Sequence, residues 1–154
     1  LNDKVHFGVN ICYDDVFYDV SREYVRRGAN LLVTLTNDSW YQQTCGGAQH
    51  MVHSIFRAVE NGVPLLRCGT SGESCLVLPS GEVKHLIRNA QGNRITRGAI
   101  TIDVPITSTI TPTFYYKNPN LFVILCVGAT FIAFLASALH FYKRKVRLRD
   151  ELQK

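Results

Sequence analysis

The sequence carries no charge along its longest apolar run. Residues 121–142, LFVILCVGATFIAFLASALHFY, hold no Asp, Glu, Lys or Arg in 22 positions. As a helix rising about 1.5 Å per residue, the run is roughly 33 Å long, close to the hydrocarbon thickness of a bilayer. Its length, its apolar character on every side, and its flanks of Pro119 and KRKVRLR argue against a buried core helix and predict one transmembrane helix. Basic residues stay in the cytoplasm, so residues 1–118 are expected across the membrane from the tail.

Other absences narrow the field. Outside residues 143–154 the chain has almost no net charge, with 11 basic against 10 acidic side chains, whereas KRKVRLRDELQK holds six Lys/Arg and two acids. A nucleic-acid surface is therefore not expected, and anionic lipid headgroups are the nearer partner of the tail. The cysteine spacings fit no zinc pattern: Cys126 lies inside the apolar run, and Cys12, Cys45, Cys68 and Cys75 are left in a compartment that permits disulfides, their pairing open. Gly46-Gly47 is followed by no Lys-Ser/Thr, so it is a hinge or helix lead-in and not a phosphate cradle. There is no internal repeat and no low-complexity tract. The chain opens LNDKVHFGV with neither an initiator methionine nor a signal-peptide pattern, and is expected to be a fragment of something longer.

What is present reads as alternating elements. Val5–Cys12 is a buried strand. Val16–Arg27 is a helix with Val16, Phe17, Val20, Tyr24 and Val25 on one side and Gly28 as its stop. Asn30–Thr36 is a second buried strand, followed by the polar loop NDSWYQQTCGG. A helix of roughly Ala48–Asn61, ending at Gly62, has Met51, Val52, Ile55, Phe56 and Val59 on one face. VPLLRC, ESCLVL, EVKHLI after the PSGE turn, and RGAITIDV are further strands. This is an α/β layout with a mixed sheet, and the near-continuous apolar strands predict cover on both faces. Residues 105–120, with three prolines and no periodicity, read as an extended connector.

Cys12 stands where a buried strand stops and an acidic turn, Asp14-Asp15, starts. In α/β sheets ligands gather at the carboxyl ends of strands, and a sharp strand-to-helix corner exposes a side chain beside free backbone N–H groups. Such a cysteine is either a structural core residue or a nucleophile; judged on composition alone, the structural reading is the commoner.

GVNICYDDVF, NLLVTLTNDSWY, FRAVENGVPLLRCGTSGES and LPSGEV, in this order over residues 5–104, resemble the second half of a nitrilase-superfamily domain. Within that superfamily of carbon–nitrogen hydrolases, TNDSWY, TITPTFY and the final membrane helix with its basic end resemble the apolipoprotein N-acyltransferase family. The resemblance implies the C-terminal part of an αββα sandwich over residues 1–104, a connector at 105–120, a membrane helix at 121–142 and a cytoplasmic tail at 143–154. It implies a Glu-Lys-Cys triad in which Cys12 takes an acyl chain from a phospholipid as a thioester and passes it to the N-terminal amine of a diacylated lipoprotein. The Tyr13 backbone N–H would contribute to an oxyanion hole, Asp14 would shape the site, and Trp40 and Tyr41 would contact lipid or substrate. No cofactor and no metal are implied. The setting implied is the bacterial inner membrane, multi-pass in the whole protein, with the catalytic domain periplasmic.

The chain departs from that pattern in two ways. Asp14 stands where the family often has Glu. The glutamate base and lysine of the triad lie N-terminal to the cysteine, and only eleven residues precede Cys12, so the chain by itself is expected not to turn over. A membrane-tethered amidase acting on a small C–N substrate and a non-catalytic membrane-anchored module stay open as alternatives. His50 and His53, three apart on a helix, lack a third ligand at metal spacing and are assigned polar or capping roles. Arg57 and Glu60 form an i,i+3 helix pair, and Glu73 and Asp103 are acids in or near strands with no assigned role.

Overall fold

A computed structural model describes residues 4–42, 44–90, 92, 98–107 and 110–152. Gln43 of the polar loop, Arg97, Thr109, and Gln153 and Lys154 of the tail, all within segments read above, lie outside these residues. The chain divides into two units, Leu1–Lys117 and Asn118–Lys154.

In the first unit the apolar runs become β1 (Phe7–Ile11), β2 (Leu31–Thr36) and β3 (Leu65–Gly69), which pair in parallel. Parallel neighbours need a crossover, supplied by α1 (Tyr18–Arg26) and α2 (Gly46–Asn61). β4 (Cys75–Val77) and β5 (Val83–Lys84) continue the sheet antiparallel, in the order β1-β2-β3-β4-β5. The register sets Val9 beside Val33 and Val33 beside Leu66. Side chains of one phase, including Leu32, Leu65 and Val77, meet Val25, Ala58 and Val63 in the core, with Tyr24, Met51 and Ile55 packed against it.

The structure corrects several expectations. The first helix starts at Tyr18, not Val16, because Cys12–Val16 winds as a 3-10 turn; Phe17 is its extended N-cap and is exposed. The second helix starts at Gly46 and ends as predicted at Gly62, whose φ of 68° is the left-handed stop glycine accepts. Its buried face is only partly the apolar stripe: Met51 and Ile55 pack against the core, but Val52, Phe56 and Val59 are exposed, and His50, Ser54, Arg57, Ala58 and Asn61 point inward. His50 and Ser54 are buried against partners below the helix, Asp15, Asp38 and Arg67, whereas Arg57 pairs with Glu60 and Asn61 donates to the Arg57 carbonyl within α2 itself. Residues 98–104 alternate weakly in exposure but pair with no strand among the described residues. The stretch 105–120 is not extended throughout, since α3 (Phe114–Lys117) makes one helical turn, capped by Thr113 Oγ1 accepting from the Tyr116 N–H at 3.0 Å. Thr113 also donates to the Glu60 carbonyl, and the Tyr116 carbonyl accepts from Arg22 Nε at 2.8 Å, which ties the turn to both helices.

Among the described residues the sheet is covered on one face only. α1 and α2 occupy one side, while on the other Phe7, Ile11 and Leu35 are exposed and Val9, Val33 and Leu66 half-buried. Apolar residues of both phases thus exceed what these helices cover.

In the second unit, α4 (Leu121–Leu152) is one 32-residue helix. Its segment Leu121–Lys145 is long and apolar enough to cross a membrane, with Phe122, Ile132 and Phe134 among its exposed side chains. The basic residues continue the same helix without a break.

Candidate active site

β1, β2 and β3 end beside one another, with Ile11 against Leu35, Leu35 against Cys68 and Thr36 against Gly69. Polar side chains gather just past these ends. Cys12 follows β1 at once, with φ of +52°, a left-handed conformation that costs a non-glycine residue about 1–2 kcal/mol. The corner is therefore strained where the thiol is presented. Asp14 folds back so that its Oδ2 accepts the Ile11 N–H at 2.9 Å, which closes the turn over the strand end.

Behind Cys12 lies a buried ionic cluster. Asp15, Asp38, His50 and Arg67 are each at most 4% exposed. His50 Nδ1 is 2.8 Å from Asp38 Oδ1 and its Nε2 is 3.1 Å from Asp15 Oδ1. Arg67 donates from Nη1 to Asp15 Oδ2 at 2.9 Å and from Nη2 to Asp38 Oδ2 at 2.8 Å. Ser54 donates to Asp15 Oδ2 at 2.5 Å, and Thr36 donates to Asp38 Oδ1 at 3.0 Å. The Thr36 hydroxyl is also 3.7 Å from Cys12 Sγ. Thr36 thus stands between the thiol and the cluster.

The geometry fixes the protonation of His50. An ionised carboxylate only accepts, so an imidazole with a carboxylate oxygen at each nitrogen must donate from both, as the imidazolium. Arg67 Nη2 lies 3.1 Å from Nδ1, but its shorter bond is to Asp38, and Nδ1 keeps its proton toward Asp38 Oδ1. The Asp15 and Asp38 bonds raise the His50 pKa to about 9, against the opposing pull of burial and Arg67. Burial would lift the Asp38 carboxyl, yet the bonds from His50 and Arg67 outweigh it and hold Asp38 below the usual carboxylate range. Two cations and two anions close the cluster at zero net charge, the condition under which buried ions are tolerable.

A phenol pair covers the imidazolium. Tyr13 stacks on His50 at 5.0 Å between centroids and Tyr41 meets it edge-on at 5.9 Å. Their hydroxyls are 2.8 Å apart, a bond that with partial burial pushes Tyr41 up to about 12. With Gly46, Gln49, His50 and His53 they line a recess of about 170 Å³. Gly72 closes the far side: a Cβ there would stand 2.4 Å from Asp38 Oδ2 and 2.7 Å from Asp38 Cβ.

Of the residues singled out from the sequence, Cys12, Tyr13, Asp14 and Tyr41 thus come together, while Trp40 stands 82% exposed on the second 3-10 turn, Asp38–Tyr41. Arg57 pairs with Glu60 at 2.9 Å, but as a largely buried pair and not a surface one, and burial raises the Glu60 carboxyl. Glu73 is buried, 3.7 Å from Arg88, and Asp103 is exposed. The five cysteines are free thiols, Cys75 pushed up to about 11 by burial. Asp15, Asp38, Ser54 and Arg67 were not singled out. One signal was available: Arg67 is in phase with Leu65 on a buried strand, and a buried guanidinium needs carboxylates.

The carbon-nitrogen hydrolase family model matches residues 3–110. The chain is 34% identical over 134 residues to apolipoprotein N-acyltransferase 1 of Treponema pallidum, covering 87% of this chain and 24% of that protein. It is 34% identical over 139 residues to the apolipoprotein N-acyltransferase of Borreliella burgdorferi, covering 90% and 25%. The chain therefore spans about a quarter of the length of the curated relatives it matches. Among solved structures it resembles Saccharomyces cerevisiae Nit3 of the nitrilase superfamily, at a TM-score of 0.47 and 26% identity, over 58% of this chain and 34% of that one. Because the family match runs across all five strands and both polar turns, 108 of 154 residues, the chain belongs to the carbon-nitrogen hydrolase family.

Proposed function

We propose that this chain is the C-terminal part of an apolipoprotein N-acyltransferase, with Cys12 as its nucleophile. The observation that carries the reading is the Cys12 corner: a thiol in a left-handed residue at the carboxyl end of a parallel strand, in a chain whose curated relatives bear that name. A glutamate upstream takes the thiol proton. The thiolate adds to a phospholipid ester carbonyl, the Tyr13 N–H supports the oxyanion, and a lysophospholipid leaves with the proton. The thioester then meets the free α-amine of a diacylated lipoprotein; the amide forms and the thiol returns. Two steps replace one difficult transfer, and a thioester is a good acyl donor to an amine. Asp14 shapes the corner through its bond to the Ile11 N–H, and Tyr41 and Trp40 meet lipid or acceptor. No cofactor enters.

The remaining parts follow the same reading. Residues 1–104 form the second half of an αββα sandwich, and the open sheet face of Phe7, Ile11 and Leu35 meets the first half, which carries the glutamate and lysine. Residues 105–120 connect to a membrane helix at 121–142, and 143–154 form a basic tail in the cytoplasm, with the catalytic domain in the periplasm of a bacterial inner-membrane protein.

The acceptor assay tests the reading. Full-length protein, phospholipid and a diacylated lipopeptide should yield an N-acylated lipopeptide and lysophospholipid, and the 154-residue chain alone should yield neither. Ammonia release from a small amide, with the lipopeptide amine untouched, would instead make the protein an amidase.

A further inference from the structure

We propose that His50, as a buried imidazolium bridging Asp15 and Asp38, is a positioning residue that holds the Cys12 corner and the Asp38–Tyr41 turn in one arrangement. The inference rests on Cys12 being the nucleophile, and it adds a residue that the triad does not include.

Two routes run from His50 to the thiol. Nε2 bonds Asp15, which lies in the same 3-10 turn, Cys12–Val16, as the cysteine. Nδ1 bonds Asp38, whose Oδ1 accepts from Thr36, and the Thr36 hydroxyl is 3.7 Å from Cys12 Sγ. The corner is strained at φ of +52°, so it persists only where its surroundings hold it. Arg67 alone does not suffice: it faces both aspartates through Oδ2, and without the imidazolium both Oδ1 atoms lose that donor and the cluster carries a net negative charge. His50 is also the floor on which Tyr13 stacks, so its loss frees the residue whose N–H follows the nucleophile.

The groups facing the imidazole are known from every side. Asp15 and Tyr13 come from the first 3-10 turn, Asp38 and Tyr41 from the second and Arg67 from β3; on α2 itself His53 lines the same recess and Ser54 acts through Asp15. Loss of the His50 proton leaves one nitrogen lone pair against a carboxylate oxygen and opens one of the two bridges. That loss falls near pH 9.

The test uses full-length protein in detergent, phospholipid as donor and no acceptor, and follows acyl loading of Cys12 by intact mass from pH 6 to 10.5, with thermal melting beside it. Wild-type loading should decline above about pH 9. His50→Gln should lower the maximal loading rate at least tenfold, with half-saturating phospholipid unchanged within about threefold. The double variant Asp15→Asn/His50→Gln removes one anion together with one of the two cations, so the cluster keeps zero net charge. It should recover loading to within about threefold of wild type and lack the alkaline decline. Should His50→Gln fail to fold, the wild-type profile and the double variant still decide. A wild-type rate that rises through pH 10.5, a single variant that loads like wild type, or a double variant that keeps the alkaline decline or fails to recover would each overturn the role of His50. If no acyl adduct forms on Cys12 in any variant while each melts cooperatively, the nucleophile assignment falls and the inference falls with it.

Discussion

At the scale of the residue, the cluster behind Cys12 makes sharp demands on its neighbours. Gly72 is glycine because Asp38, clamped by His50, Arg67 and Thr36, fills the space a Cβ would need. Gly72→Ala is expected to cost about 1–3 kcal/mol in urea unfolding, because the displaced carboxylate breaks bonds that nothing else satisfies. Arg67→Met leaves two buried carboxylates facing one imidazolium and is expected to cost about 3–5 kcal/mol, read in the same way. The pH dependence has a definite sign. The His50 pKa is raised from 6.5 to about 9 on folding, so its stabilisation is complete below pH 6.5 and is lost as the pH rises through 9. The melting temperature should fall over that interval, and Tyr41, pushed up to about 12, adds nothing to the change. A melting temperature constant from pH 6.5 to 9.5 would contradict the imidazolium assignment. Cys12, Tyr13 and Tyr41 were legible from the sequence because the strand end and the loop motif mark them. Asp15, Asp38 and Arg67 were less so, since their meaning lies in side-chain pairings across three elements that adjacency along the chain does not record.

At the scale of the element, the order of strands and helices follows the apolar runs and the glycine stops closely. Gly62 ends α2 where the sequence places its end, and β4 and β5 flank the PSGE turn. What misleads is the inner face of α2. Helical periodicity marks Met51, Val52, Ile55, Phe56 and Val59 as one face; Met51 and Ile55 do pack on the core, but the partners under His50 and Ser54 are ions, so these turn inward and Val52, Phe56 and Val59 stay exposed. Periodicity tells which residues share a face and not what that face meets. The missing strand at 98–104 has a related cause, since alternation defines a strand only where a neighbour supplies a ladder. Close packing of α1 on β1 makes a further prediction. A Cβ at Gly8 would lie 2.4 Å from Tyr24 Cβ, so Gly8→Ala should force the helix outward and lower the urea midpoint, with acyl loading reduced because Cys12 ends that strand. Unchanged values of both would show that α1 floats over the sheet.

At the scale of the whole molecule, two surfaces fit no isolated soluble domain. One is the open sheet face, and the other is the apolar length of α4. The long apolar helix was legible because an uncharged run of this length is what a membrane span needs. The open face was not, since a continuous apolar strand predicts burial without saying what covers it. The proposed topology predicts opposite labelling of two thiols in intact cells making the full-length protein. Cys45, exposed in the first unit, should react with a membrane-impermeant maleimide once the outer membrane is permeabilised, whereas Arg149→Cys should react only after lysis. Reaction of both from one side would remove the membrane crossing. The central claim is that Cys12 carries an acyl chain, and intact-mass analysis of the full-length protein after incubation with phospholipid and no acceptor tests it most directly. The account predicts a hydroxylamine-labile gain of one fatty acyl group in wild type and none in Cys12→Ser. An adduct of equal size on Cys12→Ser, or no adduct on a folded wild type, would contradict it.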